Sequence, residues 1–179
     1  MKLTFAFCTY NRAGRLERLV AAMRAQDCPI PFEILAVNNN STDDTLAVLD
    51  AIAREQGVPL RVVTETEQGI VPARNRAIDE ALGSDILVFL DDDELPQAGL
   101  LNAVCDAILK EGAQCAGGRV AVDFSGHRRP PWLEDELLGF LAEVDHGNSP
   151  IWIVDDSMPL WTANIAYDMR VFRENEKLR

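Results

Sequence analysis

The run Asp91-Asp92-Asp93-Glu94 directly follows five apolar residues, Ile86-Leu87-Val88-Phe89-Leu90. A short, continuous apolar segment reads as a strand covered on both faces. Such a strand cannot carry three carboxylates on into the core, because each uncompensated buried charge costs several kcal/mol. The acids must therefore lie at an open edge of a sheet, and open α/β sheets bind ligands beyond the carboxyl ends of their strands. Oxygen-only donors suit a hard cation such as Mg²⁺, held by one or two carboxylates together with substrate phosphates. If the segment stays extended, Asp91 and Asp93 point to one side and share the ion, or one binds it directly and the other through water, while Asp92 faces elsewhere, toward a sugar hydroxyl. The competing reading is a solvated acidic turn capping the helix after Pro96.

Three further clusters have polar chemistry. Thr9-Tyr10-Asn11-Arg12 combines an aromatic ring that can stack on a base with a guanidinium that can pair with phosphate. Asn38-Asn39-Asn40 offers amides that donate and accept, as reading a base edge requires, although Asn is also common in turns. Arg74, Asn75 and Arg76 lie near the start of a helix, and of the two arginines Arg74 is the better phosphate partner. There is no Gly-x-Gly-x-x-Gly run near Thr9, so a dinucleotide fingerprint is absent from that loop.

The elements that must position these groups alternate. Strands are expected at Leu3–Cys8, Ile34–Val37, Leu60–Val63 and 86–90. Between them, Leu16, Leu19, Val20 and Met23 mark one helix face, Leu46, Leu49 and Ala53 a second, and Ala73, Ala77, Ile78, Ala81 and Leu82 a third. Ser41 and Asp44 have the spacing of a capping box, and Pro96 suits the first turn of a helix carrying Leu101, Val104 and Ile108. This order predicts a parallel sheet with helices on its faces, and right-handed crossovers bring 9–12, 38–40 and 91–93 to one rim. After about Gly112 the pattern changes. A strand broken by Gly117 and Gly118 runs to Val122, Leu133, Leu137, Leu138 and Leu141 predict an amphipathic helix, and Trp161–Tyr167 predicts a last strand. The polar side of that amphipathic helix is acidic, which favours packing or a lid over a lipid surface.

With 179 residues the chain suits one domain, and 47% hydrophobic content is ample for a core. A net charge of −12 disfavours nucleic acid and anionic lipid as bulk partners. The four cysteines form no Cys-x-x-Cys pair and only two histidines exist, so a structural zinc site is not expected, and the cysteines read as reduced thiols. No apolar run approaches the ~20 residues of a membrane span. The expected location is cytoplasmic, extending to the inner face of the membrane.

In order, Thr9-Tyr10-Asn11-Arg12, Val37-Asn38-Asn39-Asn40-Ser41-Thr42-Asp43, Ala73-Arg74-Asn75, Phe89-Leu90-Asp91-Asp92-Asp93 and Trp161-Thr162-Ala163-Asn164-Ile165-Ala166 resemble the motifs of family 2 glycosyltransferases of the GT-A fold. The resemblance implies a Rossmann-like, three-layer α/β sandwich with a mostly parallel sheet. It implies an inverting, metal-dependent transfer of a sugar from a nucleoside-diphosphate donor to a glycan or lipid-linked glycan acceptor. By position, Thr9, Tyr10, Asn11, Arg12, Asn38, Asn40 and Arg74 would surround the nucleotide, Asp92 would meet the ribose, and Asp93 with Asp91 would hold Mg²⁺ or Mn²⁺. Residues 1–112 would form the nucleotide-sugar-binding half and 113–179 the acceptor-side half of one continuous domain. Asn38 stands where the family usually has Asp, which puts a uracil preference in question. The family's general base is a carboxylate after the acceptor segment, so it is expected beyond Arg179 in a chain cut short, with Asp155 and Asp156 as nearer candidates.

Two other readings compete. One is a catalytically silent module that keeps the nucleotide-sugar pocket. The other is a haloacid-dehalogenase-like phosphatase, which also ends an apolar strand in Asp-x-Asp but normally on the first strand of its core.

Overall fold

A computed structural model describes residues 1–147, 149–155, 158 and 160–174. Six strands form one sheet: β1 (Leu3–Thr9), β2 (Phe32–Asn38), β3 (Leu60–Thr64), β4 (Ile86–Leu90), β5 (Cys115–Gly117) and β6 (Asn164–Asp168). Their order is β3-β2-β1-β4-β6-β5. The β1–β2, β2–β3 and β1–β4 pairs are parallel, and β6 runs antiparallel to both β4 and β5. Chain order reverses direction across β1, so the crevice between the carboxyl ends of β1 and β4 is the switch point at which such sheets take ligands.

Period-two alternation along the central strands splits the core into two layers. Leu3, Phe5, Phe7, Ile34, Ala36, Ile86 and Val88 face α1 (Leu16–Arg24), α2 (Thr45–Ala53) and α4 (Leu100–Cys105). Ala6, Leu35, Val37, Leu87 and Phe89 face α3 (Ile70–Glu80) and α5 (Arg170–Glu174). The α1 face is the expected one: Leu16, Leu19, Val20 and Met23 are all buried. Along α3, Ala73, Ala77 and Ile78 let the helix lie close on the sheet beneath the site.

Several local expectations are corrected. Ser41 and Asp44 make no capping box: Asp44 gives α2 no side-chain cap, the Ser41 hydroxyl accepts from the Asn11 amide at 3.0 Å, and Asp43 accepts from the Thr45 amide at 2.9 Å. The buried stripe of α2 is Thr45, Leu49 and Ile52, with Leu46 exposed. Pro96 does not open α4, which starts only after Gly99 at φ 88°, a conformation that favours glycine, and continues through a π-helical turn carrying Ile108. The strand after Gly112 is three residues long, and Val120 then bridges Val144 alone. The leucine pattern at 133–141 forms a 3₁₀ helix (Asp135–Leu141) that buries Leu138, with Leu133 buried just before it, and leaves Phe140 and Leu141 outside. The four cysteines are free thiols. Among the described residues no helix is long and apolar enough to cross a membrane.

Where β6 ends, Asp168 accepts from both the backbone and the guanidinium of Arg170, each at 2.9 Å. Those hydrogen bonds, chiefly the side-chain one, hold the Asp168 carboxyl below its usual range. A depressed folded pKa adds stability that is present above the unfolded carboxylate range and lost as pH falls through the lower folded value. Asp168→Asn is therefore expected to melt below the wild type at pH 7, with the two melting temperatures converging as pH drops below about 4. Thermal melts across pH 2–7 check this.

Candidate functional site

The first three strands end in step. Thr9 pairs with Asn38 and Asn38 with Thr64, so the residues that follow leave the sheet at one level. A cleft of about 330 Å³ opens there, lined by Cys8 and Thr9 at the end of β1, Tyr10 and Arg12 after it, Asn39 after β2, Gln68 and Gly69 before α3, Ile70 and Ala73 in its first turn, and Asp92 after β4. Its volume is at the lower end for small-molecule sites. The sheet thus brings together Thr9, Tyr10, Arg12 and Asp92, all expected from sequence.

The loops are cross-braced. Asn11, at φ 53°, accepts from the Thr42 amide at 2.8 Å and the Asp43 amide at 3.3 Å. Its side chain ties the β1 loop to the β2 loop and does not line the cleft. Asn38 is buried and its Oδ1 accepts from the Ser41 amide at 3.2 Å, a local turn bond. Asn40 is exposed at φ 58° and lies outside the cleft lining. Of the three amides offered for the base, Asn39 does line it, and so do Gln68, Gly69 and Ile70, which the sequence reading passed over.

The acids are not extended. The Glu94 amide donates to the Asp91 carbonyl at 3.2 Å, which closes a turn over 91–94 and removes the alternation that would put Asp91 and Asp93 on one side. Instead the aspartates have different partners. Asp91 accepts from Arg74 at 2.8 Å, and Arg74, 8% exposed, also donates to the Thr162 carbonyl and lies over the Phe89 ring. Arg74 is thus a strut beneath the acids and not part of the cleft wall. Asp92 faces the cleft with Arg12 at 3.9 Å. Asp93 is exposed and has no ion pair among the described residues.

Burial raises Asp92, with Asp93 and Asp91 adding to the effect and Arg12 opposing it. Burial, then Asp91 and Asp93, push Glu94 up to about 7. The Thr9 hydroxyl is close enough to Asp92 to hold that carboxyl down, yet it is buried without a hydrogen bond of good geometry, so it is an orphaned polar atom at the cleft. Burial pushes the neighbouring Cys8 thiol up to about 12, which leaves it inert as a nucleophile at neutral pH.

A resident cation fits this arrangement in a limited way. Among the described residues no three His, Cys, Asp or Glu side chains converge on a point, so the protein offers no closed cage. A divalent ion completed by ligand phosphates needs only one or two carboxylates. Asp93 is free to supply one. Arginines do not sequester all three aspartates.

On the acceptor side, the Asp91 amide donates to the Ala163 carbonyl at 3.1 Å, which ties the segment before β6 to the acid turn. Asp155 lies in the exposed loop ahead of it, and Asp156 falls outside the described residues. Next to β5, a Cβ on Gly118 would stand 2.5 Å from the Asn164 amide nitrogen, which donates to the Arg119 carbonyl. Gly118→Ala is expected to displace Asn164 and to cost about 1 kcal/mol as mild overpacking. A thermal melt at neutral pH checks this.

The chain matches the glycosyl transferase family 2 profile over residues 4–175. It belongs to glycosyl transferase family 2. The match places the acid turn, the cleft and β6 within one family unit, and it overturns the phosphatase reading, whose acids belong on a first strand and not on a fourth. A PGL/p-HBAD biosynthesis glycosyltransferase of Mycobacterium tuberculosis is 34% identical over 96 residues, which are 54% of this chain and 37% of that protein. A GalNAc(5)-diNAcBac-PP-undecaprenol beta-1,3-glucosyltransferase of Campylobacter jejuni is 27% identical over 133 residues, 70% of this chain and 42% of that one. The chain thus spans well under half the length of these relatives. S. aureus TarS 1-349 in complex with UDP superposes with a TM-score of 0.73 over 97% of this chain and 48% of that one, at 20% identity, a likeness of fold. The mannosyltransferase PcManGT of Pyrobaculum calidifontis, in complex with GDP-Man and Mn²⁺, is 28% identical with a TM-score of 0.57 over 63% of this chain and 34% of that one. The fold is accordingly the mostly parallel, GT-A-type α/β sandwich that the motif order implied.

Proposed function

We propose that this chain is the donor-binding part of an inverting glycosyltransferase that transfers a sugar from a nucleoside-diphosphate sugar to a glycan or lipid-linked acceptor. The observation that carries the reading is the cleft at the β1/β4 switch point, with an orphaned hydroxyl, an exposed aromatic, a guanidinium and a carboxylate on its walls and, next in sequence to that carboxylate, an exposed Asp93 with no ion pair among the described residues. Tyr10 and Thr9 border the base, Asp92 meets the ribose, and Arg12 offsets diphosphate charge. Asp93, with Asp91 behind it, would hold Mg²⁺ or Mn²⁺. The ion supplies Lewis-acid stabilisation of the departing diphosphate. The solved structures of similar fold in complex with UDP and with GDP-Man and Mn²⁺ support this class of donor and cation.

The role of this chain's own residues is binding and orientation. The acid turn is tied to the pre-β6 segment by the backbone hydrogen bond from Asp91 to Ala163, which joins the donor and acceptor sides. The residue that removes the acceptor's proton is expected on the acceptor side, where Asp155 is one candidate. Calorimetric titration of the chain with uridine and guanosine diphosphates, with and without Mn²⁺, tests the reading. Micromolar, metal-strengthened binding of one of them is expected, and no binding of either would sink it. Binding with neither transfer nor donor hydrolysis by the chain would favour the silent-module alternative.

A further inference from the structure

Asn39 is the most heavily engaged side chain at the cleft. It is 6% exposed, and all of its side-chain hydrogen bonds go to the backbone of one loop. Its Oδ1 accepts from the Gly69 amide at 2.8 Å, and its Nδ2 donates to the Glu67 carbonyl at 2.7 Å and to the Glu65 carbonyl at 3.3 Å. From the other side, its backbone amide donates to the Thr9 carbonyl at 2.9 Å, and its carbonyl accepts from the Gln68 side chain at 3.5 Å. One residue thus links the end of β1, through its own backbone, to the whole of the 65–69 loop. That loop leads into α3 at Gly69, whose φ of 143° suits only glycine, and it supplies Gln68 and Gly69 to the cleft that Thr9 and Tyr10 also line.

We propose that Asn39 is a positioning residue that sets the width of the nucleotide cleft by clamping the 65–69 loop at a fixed distance from β1. The inference rests on the donor-binding reading above. Its physical basis is that the loop has no apolar anchor of its own: Thr66, Glu67, Gln68 and Ile70 are exposed. Three hydrogen bonds to one buried amide therefore replace packing as the constraint on its position. With the clamp gone, the loop's backbone groups turn to water and the wall contributed by Gln68 and Gly69 moves. The cost then falls on ligand binding as lost preorganisation, beyond any cost to folding.

The test measures affinity and stability together on the 179-residue chain. The wild type, Asn39→Ala, Gly69→Ala and the double variant are titrated with uridine and guanosine diphosphates in Mn²⁺, and their melting temperatures are recorded. Gly69→Ala strains the same loop from its other end while leaving Asn39 in place, because an added Cβ would adopt a left-handed φ and stand 3.3 Å from Pro72. Each single variant is expected to raise Kd about tenfold, and the double variant little more than either alone, since both act through one loop. Unchanged Kd in Asn39→Ala with a lowered melting temperature would make Asn39 merely structural and would overturn the inference, as would fully additive losses. If Asn39→Ala does not fold, an unchanged Kd in Gly69→Ala overturns it. Absence of binding by the wild type overturns the donor-binding reading itself, a result distinct from either.

Discussion

Asp93→Ala is expected to weaken the binding of a nucleoside diphosphate in Mn²⁺ about 100-fold, roughly 3 kcal/mol, and to leave the metal-free affinity and the melting temperature unchanged. Asp91 is already engaged by Arg74 at 2.8 Å, and Asp92 faces the cleft with Arg12 near it. Asp93 is exposed and without an ion pair among the described residues, so its carboxylate can bind a cation without first giving up a partner. A substitution at an exposed side chain adds or removes little folding free energy, hence the unchanged melting temperature. Asp93→Asn keeps the size and one acceptor oxygen but not the charge, and it should fall between the two. Titrations with and without Mn²⁺ read all of this directly. If Mn²⁺ strengthens binding equally in the wild type and in Asp93→Ala, the ion is held elsewhere and the role given to Asp93 is wrong.

The rim was legible because each apolar run stops where its polar cluster begins. Cys8 gives way to Thr9, Val37 to Asn38 and Leu90 to Asp91, and a parallel sheet then aligns those ends. Individual side-chain assignments were less legible. Three consecutive asparagines have the same propensity, and what distinguishes them is long-range: Asn38 turns to Ser41, Asn39 reaches the 65–69 loop, and Asn40 stays outside. The acids misled in a similar way. Period-two reasoning holds only while the chain is extended, and a single bond from Glu94 to Asp91 folds the segment into a turn. Arg74 was expected to face phosphate because sequence cannot show the depth of a side chain. The small residues Ala73 and Ala77 let α3 lie close on the sheet, which puts Arg74 beneath the rim, against Phe89. Past Gly112 the leucine spacing suggested an α-helix, yet Phe140 at 88% exposure and a left-handed Ala142 belong to a short 3₁₀ segment.

Arg74 gives the other large effect. Its guanidinium is the only cation within ion-pair distance of Asp91 among the described residues, and it also bonds the Thr162 carbonyl at 3.2 Å and lies 5.6 Å from the Phe89 ring centroid. Breaking a buried ion pair from one side costs about 3–5 kcal/mol, but the Asp91 side chain is 41% exposed and water recovers part of that. Arg74→Ala is therefore expected to cost roughly 2 kcal/mol, a fall of about 4–8 °C in melting temperature at this chain length. Arg74→Lys should recover only part of it, since an ammonium cannot bond the carboxylate and the Thr162 carbonyl in one plane while stacking on a ring. The double variant Arg74→Ala/Asp91→Asn separates charge from packing. If the loss comes from stranding Asp91 among Asp92, Asp93 and Glu94, removing its charge restores about half of the lost stability. If the loss is packing against Phe89, the double variant is no better than Arg74→Ala alone. Restoration is expected, because Arg74 is the positive charge that holds Asp91 in place while Asp93, two residues on and exposed, stays open to a cation.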